Sequence, residues 1–545
     1  IACIQRRIDR RTFLRLAALL STISIGASAW WMAGLSTQGK YGAPVLSYSE
    51  TLPSTSATST ATETLRGLGY WLFYDRPGIA PLTTASQPYQ TSLPVIIAGA
   101  ALVVAGLIGL TLARHRRSLM TMLVGGMVLA VGAYPFGDSS PLWSFFADRP
   151  KSGISLALRS SSRAVPLVAL ALAIGVGHSA AFLHRRITSS RLVVPAMTAL
   201  LLIVNMPALV TGRLIDPNVS RPEQIPRAWF DAAAFLDRAY DDGSRGSVLI
   251  VPGIESHAFR WGYTVDPILP GLTRKPMITR DWLPLGSAPL MDLLYALDDS
   301  FQNGTATPEA VAPIARLLGA DTVMVVNSFQ YERFATIEPE RAASVINDAT
   351  PGLTHLADFG DPEVNRAAPA SEQTGSSPGT PLPEIQLYAV DSPFPAGTTT
   401  HPTVISGDGS SLVDLAATGL LDEPGIRLMS AALTGKALEN AVNDSERLIV
   451  TDGNRIRAHQ WRGSQEVWGA TEPLTGVVET PDVFDSRLPV FPETSTDPST
   501  RSYVLTTDVS ATATSYGALL SYRPEYRPSM AIDGDPNTAW AIGWG

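Results

Sequence analysis

Between Phe13 and Gly212 the chain repeats long apolar runs with no charge at their centres, and this feature constrains the fold most. Crossing about 30 Å of hydrocarbon takes roughly 20 apolar residues in helical form. Five segments meet or approach that length: Phe13–Leu35, Leu93–Ala113, Leu119–Phe136, Val165–Leu183 and Leu192–Gly212. A charge near the bilayer centre is costly, which fits its absence from all five. Gly125, Gly126, Gly175 and Gly177 suit helices that approach closely in lipid. The pattern predicts a multi-spanning α-helical membrane domain over residues 1–212, because five such runs in succession do not suit the core of a soluble protein.

Lys and Arg in short loops set the orientation. Arg6, Arg7, Arg10 and Arg11 precede the first run and Arg15 lies at its start; Arg114, Arg116 and Arg117 follow the second; Arg185, Arg186 and Arg191 follow the fourth. All three clusters fall on one side, the cytoplasmic one. Loops 36–92 and 137–164 and everything after Arg213 then lie outside, at the plasma membrane. Arg149, Lys151, Arg159 and Arg163 in the second outer loop run against the bias. The first run also reads as a twin-arginine export signal, with Arg10-Arg11 ahead and Ala27-Ser28-Ala29 as a small-residue cleavage site. Continuation through Trp30-Trp31-Met32 and four further runs favour an uncleaved helix.

Beyond Arg213 the pattern turns to mixed α/β. Trp229, Ala232, Ala233, Leu236 and Tyr240 have helical spacing within Ala228–Tyr240. Val248–Val251 and Thr322–Val326 read as buried strands, with a helix at Pro308–Leu318 between them, N-capped by Thr307. That order predicts a partly parallel sheet, completed by a strand at Glu384–Val390, in an outer α/β domain over residues 213–395. A second small α/β domain spans 400–470: strand Thr403–Ile405, the turn Gly407-Asp408-Gly409-Ser410-Ser411, helix Leu412–Gly419 and strand Arg447–Val450. The Gly-rich turn has neither a dinucleotide fingerprint nor a phosphate-loop lysine, so Asp408 and Ser410 read as helix caps rather than ligand groups. A Pro/Thr/Ser-rich linker covers 471–500.

The net charge of −8 excludes a typical nucleic-acid binder, which needs a basic face. The mean hydropathy of +0.12 averages an apolar first half with a polar second. The single cysteine, Cys3, permits no intrachain disulfide and no cysteine-based metal site. The sequence starts at Ile1 and stops at Gly545, straight after a recognisable motif, so both ends read as cut.

That motif is Ala531-Ile532-Asp533-Gly534-Asp535-Pro536-Asn537-Thr538-Ala539-Trp540, preceded by Ser510-Ala-Thr-Ala-Thr-Ser515. It resembles the opening of discoidin-like (coagulation factor 5/8 type C) β-sandwich modules that bind carbohydrate, here truncated to residues 501–545. The resemblance implies that Asp533 and Thr538 hold a structural Ca²⁺, for which oxygen donors in a tight turn are suited. An Asp-Gly turn without metal is the alternative. Trp540 is expected in the module's core.

Gly39-Lys40-Tyr41-Gly42-Ala43-Pro44 with Tyr48-Ser-Glu50, Ala157-Leu158-Arg159-Ser160 with Arg163-Ala164-Val165-Pro166-Leu167, and Val248–Pro252 carry a wider resemblance. With the discoidin-like stretch they resemble the actinobacterial α-(1→3)-arabinofuranosyltransferases, membrane glycosyltransferases of GT-C type with outward carbohydrate-binding modules. The resemblance covers nearly the whole chain, as the rear part of the GT-C domain. It implies transfer of arabinofuranose from a polyprenyl-phosphate donor to cell-wall arabinan (arabinogalactan or lipoarabinomannan), with no cofactor for the transfer itself. It also implies that the main catalytic acid lies upstream of Ile1.

Within the chain, Glu50, Glu63 and Asp75 stand on the first outer loop, where a carboxylate could activate an acceptor hydroxyl. Solvated loop acids are the simpler account. Arg159 and Arg163 stand at an outer membrane boundary, suited either to the donor's lipid phosphate or to anchoring on headgroups. The aromatic run Tyr70–Tyr74 suits an interfacial belt or a sugar and lipid platform. Two rival functions fit the same layout: a non-catalytic membrane-anchored carbohydrate-binding protein, and a polysaccharide export partner. The absence of charges at the centres of the apolar runs counts against export.

Overall fold

The computed structural model describes residues 9–41, 58–74, 83–134, 161–187 and 192–451 apart from 255, 281–287, 303, 333–335, 368–378, 392–397 and 424, with a few isolated positions elsewhere. These residues fall into two compact units, 1–74 with 85–214, and 75–84 with 215–545.

The first unit is helical: α1 (Arg10–Tyr41), α2 (Ala61–Leu65), α3 (Gln87–Thr91), α4 (Leu93–Leu112), α5 (Arg116–Val131), α6 (Val165–Arg186), α7 (Val193–Val204) and α8 (Pro207–Thr211). Among the described residues three helical stretches are long and apolar enough to cross a bilayer: Arg11–Gln38, Leu93–Leu112 and Ser161–Arg186. The other two of the five expected spans are shorter than expected. The third begins at Arg116 and stops after 16 residues, because Gly132 turns the chain left-handed at φ 57°. The fifth is broken between α7 and α8. Pro207 has no N–H to continue the ladder, and it forces Met206 out of helical geometry to φ −127°, ψ 59°. The first span is unbroken through Ala27-Ser28-Ala29.

Helices α4 and α6 meet at a glycine-lined crossing. A Cβ on Gly106 would lie 2.9 Å from Leu172, and Gly109 presses on Gly175 in the same way one turn further on. Ser179 Oγ donates to the Ala105 carbonyl across the contact at 2.6 Å. Because both contact series rise together along the chain, α4 and α6 run in the same direction, and α5 returns in the opposite direction after the turn at His115, packed mainly on α6. Arg114, Arg116 and Arg117 therefore share one end of the bundle with Arg185 and Arg186. The loops gather at the opposite end, where Ser59 and Ser161 donate to the Val131 and Ala130 carbonyls at 3.0 and 3.2 Å. Of the glycines expected to admit close packing, Gly126 and Gly175 do so, whereas Gly125 and Gly177 face open space.

The second unit is α/β. Its larger sheet has the order β4-β1-β5-β7-β6, made of β1 (Ser247–Val251), β4 (Met277–Ile278), β5 (Ala320–Val326), β6 (Leu353–Phe359) and β7 (Ile385–Val390). β1 is parallel to β4 and β5, and β7 is antiparallel to β5 and β6, which gives the partly parallel sheet expected. A short antiparallel hairpin, β2 (His257–Phe259) with β3 (Gly262–Val265), follows β1. Side chains alternate along the central strands. Leu249, Val251, Val323 and Val325 enter one apolar cluster with α10 (Ala288–Gln302) and α11 (Pro308–Leu317). Val248, Ile250, Met324 and Val326 enter another with Trp229, Ala232 and Leu236 of α9 (Arg227–Asp241).

Three strands, β8 (Thr403–Ser406), β9 (Arg427–Met429) and β10 (Arg447–Val450), form a parallel sheet in the order β10-β8-β9. Helix α12 (Gly409–Ala417) follows β8 and contributes Leu412, Val413, Leu415 and Ala416 to the cluster built by α10 and α11. The residues expected as a small separate domain thus share a core with the larger sheet.

Candidate functional site

At the loop-bearing end of the helical unit, Glu63 lies in α2, a single helical turn started by Thr60, whose side chain accepts the Glu63 amide. One Glu63 oxygen accepts from Arg66 Nη1 at 2.9 Å and the other from the Tyr74 hydroxyl at 2.6 Å. Arg66 also donates through Nη2 to the Tyr89 carbonyl at 2.8 Å, and the Tyr89 hydroxyl donates to the Asn205 carbonyl at 2.6 Å. Burial, then the Glu63 carboxylate beside it, push the Tyr74 phenol well above its ordinary pKa. Burial also raises Tyr89, against the opposing pull of Arg66. With both carboxylate oxygens engaged, Glu63 fixes the loop rather than standing ready as a proton acceptor.

Of the other expected site residues, Arg163 lies in a 3-10 turn (Ser161–Ala164) at the same end of the bundle, with its side chain exposed. Glu50, Asp75, Arg159, Asp533 and Thr538 lie outside the described residues. Trp540, expected in a core, is 41% exposed, and neither it nor Ala539 belongs to a described strand. Trp71 of the aromatic run is buried against the loop, with the Tyr70 ring 5.8 Å away.

The Gly-rich turn after β8 is closed by the protein itself. Asp408 accepts the Ser411 amide at 3.0 Å and Ser411 returns a bond to the Asp408 amide, so Ser411 rather than the expected Ser410 completes the capping box. The Gly409 amide donates to the buried Asp292 carboxylate of α10. A carboxylate from the same chain thus occupies the anion position of this helix N-terminus. Thr307 stands at the N-cap of α11 as expected, but its side chain makes no capping bond. Among the described residues no group of three or more His, Cys, Asp or Glu is arranged to hold a metal.

Sequence reading missed Arg66, Tyr89, Gly99 and Asn205. Asn205, a polar residue inside an apolar run two positions before Pro207, was the available signal.

Residues 1–472 match the family model described as Alpha-(1->3)-arabinofuranosyltransferase, N-terminal GT-C domain. The chain belongs to this family. Two relatives named Alpha-(1->3)-arabinofuranosyltransferase, from Mycolicibacterium smegmatis and Mycobacterium tuberculosis, are each 28% identical over 94% of the chain. The chain spans 37% of the length of each. The cryo-EM structure of arabinofuranosyltransferase AftD from Mycobacteria has the same fold over 98% of this chain and 36% of its own, at a TM-score of 0.60 and 21% identity. Its R1389S mutant matches over 87% of this chain at a TM-score of 0.58 and 21% identity.

Proposed function

We propose that the protein is a multi-pass membrane glycosyltransferase that moves arabinofuranose from a polyprenyl-phosphate donor to cell-wall arabinan outside the plasma membrane. The family match over residues 1–472 carries this reading. The arrangement of the bundle supports the orientation. Arginine clusters gather at one end, as they do on cytoplasmic faces, and the loops gather at the other. In this orientation the α/β unit lies outside.

Transfer to a sugar hydroxyl needs a base for the acceptor and cationic groups for the lipid phosphate that leaves. Arg163 is exposed at the loop-bearing end and suits the second task together with Arg159. Glu50 and Asp75 are the acids of the first outer loop proposed to line the site, with Glu63 as its fixed floor. Asp533 and Thr538 are proposed to hold Ca²⁺ in a discoidin-like carbohydrate-binding module.

The test is transfer of labelled arabinose from a polyprenyl-phosphate donor to an arabinan oligosaccharide by the full-length protein in nanodiscs. Formation of a longer labelled glycan, reduced by Arg163→Ala, supports the reading. Intact glycan binding without transfer overturns it in favour of a membrane-anchored carbohydrate-binding protein.

A further inference from the structure

The break between α7 and α8 leaves a short helix at the end of the fifth apolar run that packing does not hold. No residue of α8 is buried, and Leu209 and Val210 are 74% and 69% exposed. Non-helical backbone at membrane depth persists where other protein groups satisfy it. Here that group is the Tyr89 hydroxyl, which takes the Asn205 carbonyl at the last position before the break.

Tyr89 is in turn fixed by Arg66. The guanidinium joins the Tyr89 carbonyl to Glu63, and Glu63 is joined to Tyr74. Arg66 and Asn205 also converge on Gly99 of α4. A Cβ there would meet Asn205 Oδ1 at 2.9 Å, so a larger residue would push that side chain aside, while Arg66 Nε at 3.8 Å lies at ordinary contact distance. Arg66 Nε is buried and makes no hydrogen bond, so the guanidinium is held by its two Nη bonds alone. Losing either bond would uncouple Tyr89 from Glu63, while Ser59 still ties the start of the loop to the Val131 carbonyl.

We propose that Tyr74, Glu63, Arg66, Tyr89 and Asn205 form a latch: closed, it holds the break at Met206 in one conformation, and open, it lets α8 move. Arg66 is the positioning residue at its centre. The part that moves is the 66–74 end of the loop, whose described path to the helix break runs from Arg66 through Tyr89 to Asn205. The latch is independent of the transferase reading and is tested without measuring transfer.

The experiment is hydrogen–deuterium exchange on the full-length protein in nanodiscs, comparing wild type with Tyr89→Phe, Arg66→Met and Arg66→Lys. Tyr89→Phe removes a single hydroxyl and keeps the ring, so it remains informative if Arg66→Met fails to fold. Exchange over residues 203–212 should rise about fivefold in Tyr89→Phe, the population change that one net hydrogen bond supports. It should rise at least as much in Arg66→Met and less in Arg66→Lys, while the α4–α6 crossing stays protected. Unchanged exchange at 203–212 in Tyr89→Phe overturns the latch. So does an equal rise in α4 and α6, which would mark general loosening.

Discussion

A Cβ atom on Gly109 would lie 1.7 Å from the carbonyl oxygen of Gly175, and one on Gly175 would lie 2.1 Å from that of Gly106. No rotamer change relieves such a contact, because backbone meets backbone. Gly109→Ala and Gly175→Ala should each force α4 and α6 apart and cost about 1–3 kcal/mol or more. Gly177→Ala, on the same helix as Gly175 but facing open space, should instead be neutral or stabilising by up to about 1 kcal/mol. Thermal unfolding of the full-length variants in detergent compares the three. Equal loss at Gly177 and Gly175 would contradict the crossing.

His257 is buried between Phe259 and Phe329, at ring-centroid distances of 6.1 and 5.9 Å, and neither ring nitrogen makes a hydrogen bond of good geometry. Burial pushes its pKa down to about 3, against a weak opposing pull from the Val265 backbone. The unfolded chain therefore binds this proton at a higher pH than the folded one. The stability that neutral His257 allows is complete above about pH 6.5 and falls as pH drops toward about 3, by up to about 1.4 kcal/mol per pH unit. His257→Leu should flatten that slope. Denaturant unfolding of the α/β unit across this range, in both proteins, measures it.

Buried Lys275 pairs with half-buried Asp321 at 2.6 Å, and Ser244 and the Gly246 amide also bind the carboxylate, at 2.6 and 2.8 Å. Burial acts to raise the Asp321 pKa, but the bonds from Lys275, Ser244 and Thr322 outweigh it and hold the group below its usual range. Its contribution is present above the unfolded value of 3.8 and is lost as pH falls through the lower folded value. Lys275→Met removes the ion pair but leaves the carboxylate its bonds to Ser244, Gly246 and Thr322, and should cost about 1–3 kcal/mol. Paired replacement, Lys275→Met with Asp321→Leu, should recover much of that loss. A double-mutant cycle on denaturant midpoints reads the coupling.

Asp408 begins α12 through its bond to the Ser411 amide. Asp408→Ala should cost about 0.5–2 kcal/mol, while Asp408→Asn, which keeps an acceptor, should cost less. Local exchange of the α12 amides distinguishes the two.

Much of the α/β unit was legible from periodicity, because β1 and β5 are continuous apolar runs and α9 repeats its core residues at helical spacing. The parallel pairing followed from the strand–helix–strand order. The ends of the membrane helices were less legible: apolar character continues past Val131 and past Val204, while the backbone stops there for reasons local to Gly132 and Pro207. The site was legible in part. Glu63 could be named as a loop acid, but its partners are 3, 11 and, through Arg66, 26 positions away, and only the fold brings them together. Gly99 and Asn205 carry no motif; their meaning lies in the space one leaves and the other fills.

The apolar cluster shared by α10, α11 and α12 has a consequence for cleavage. The connection between β7 and β8 spans 391–402, yet the side chains on either side of it pack into one interior. A protein cut in that stretch should stay together as a nicked pair, migrating as one species on a sizing column and as two on a denaturing gel. Either piece expressed alone would show water an apolar face that normally has a partner.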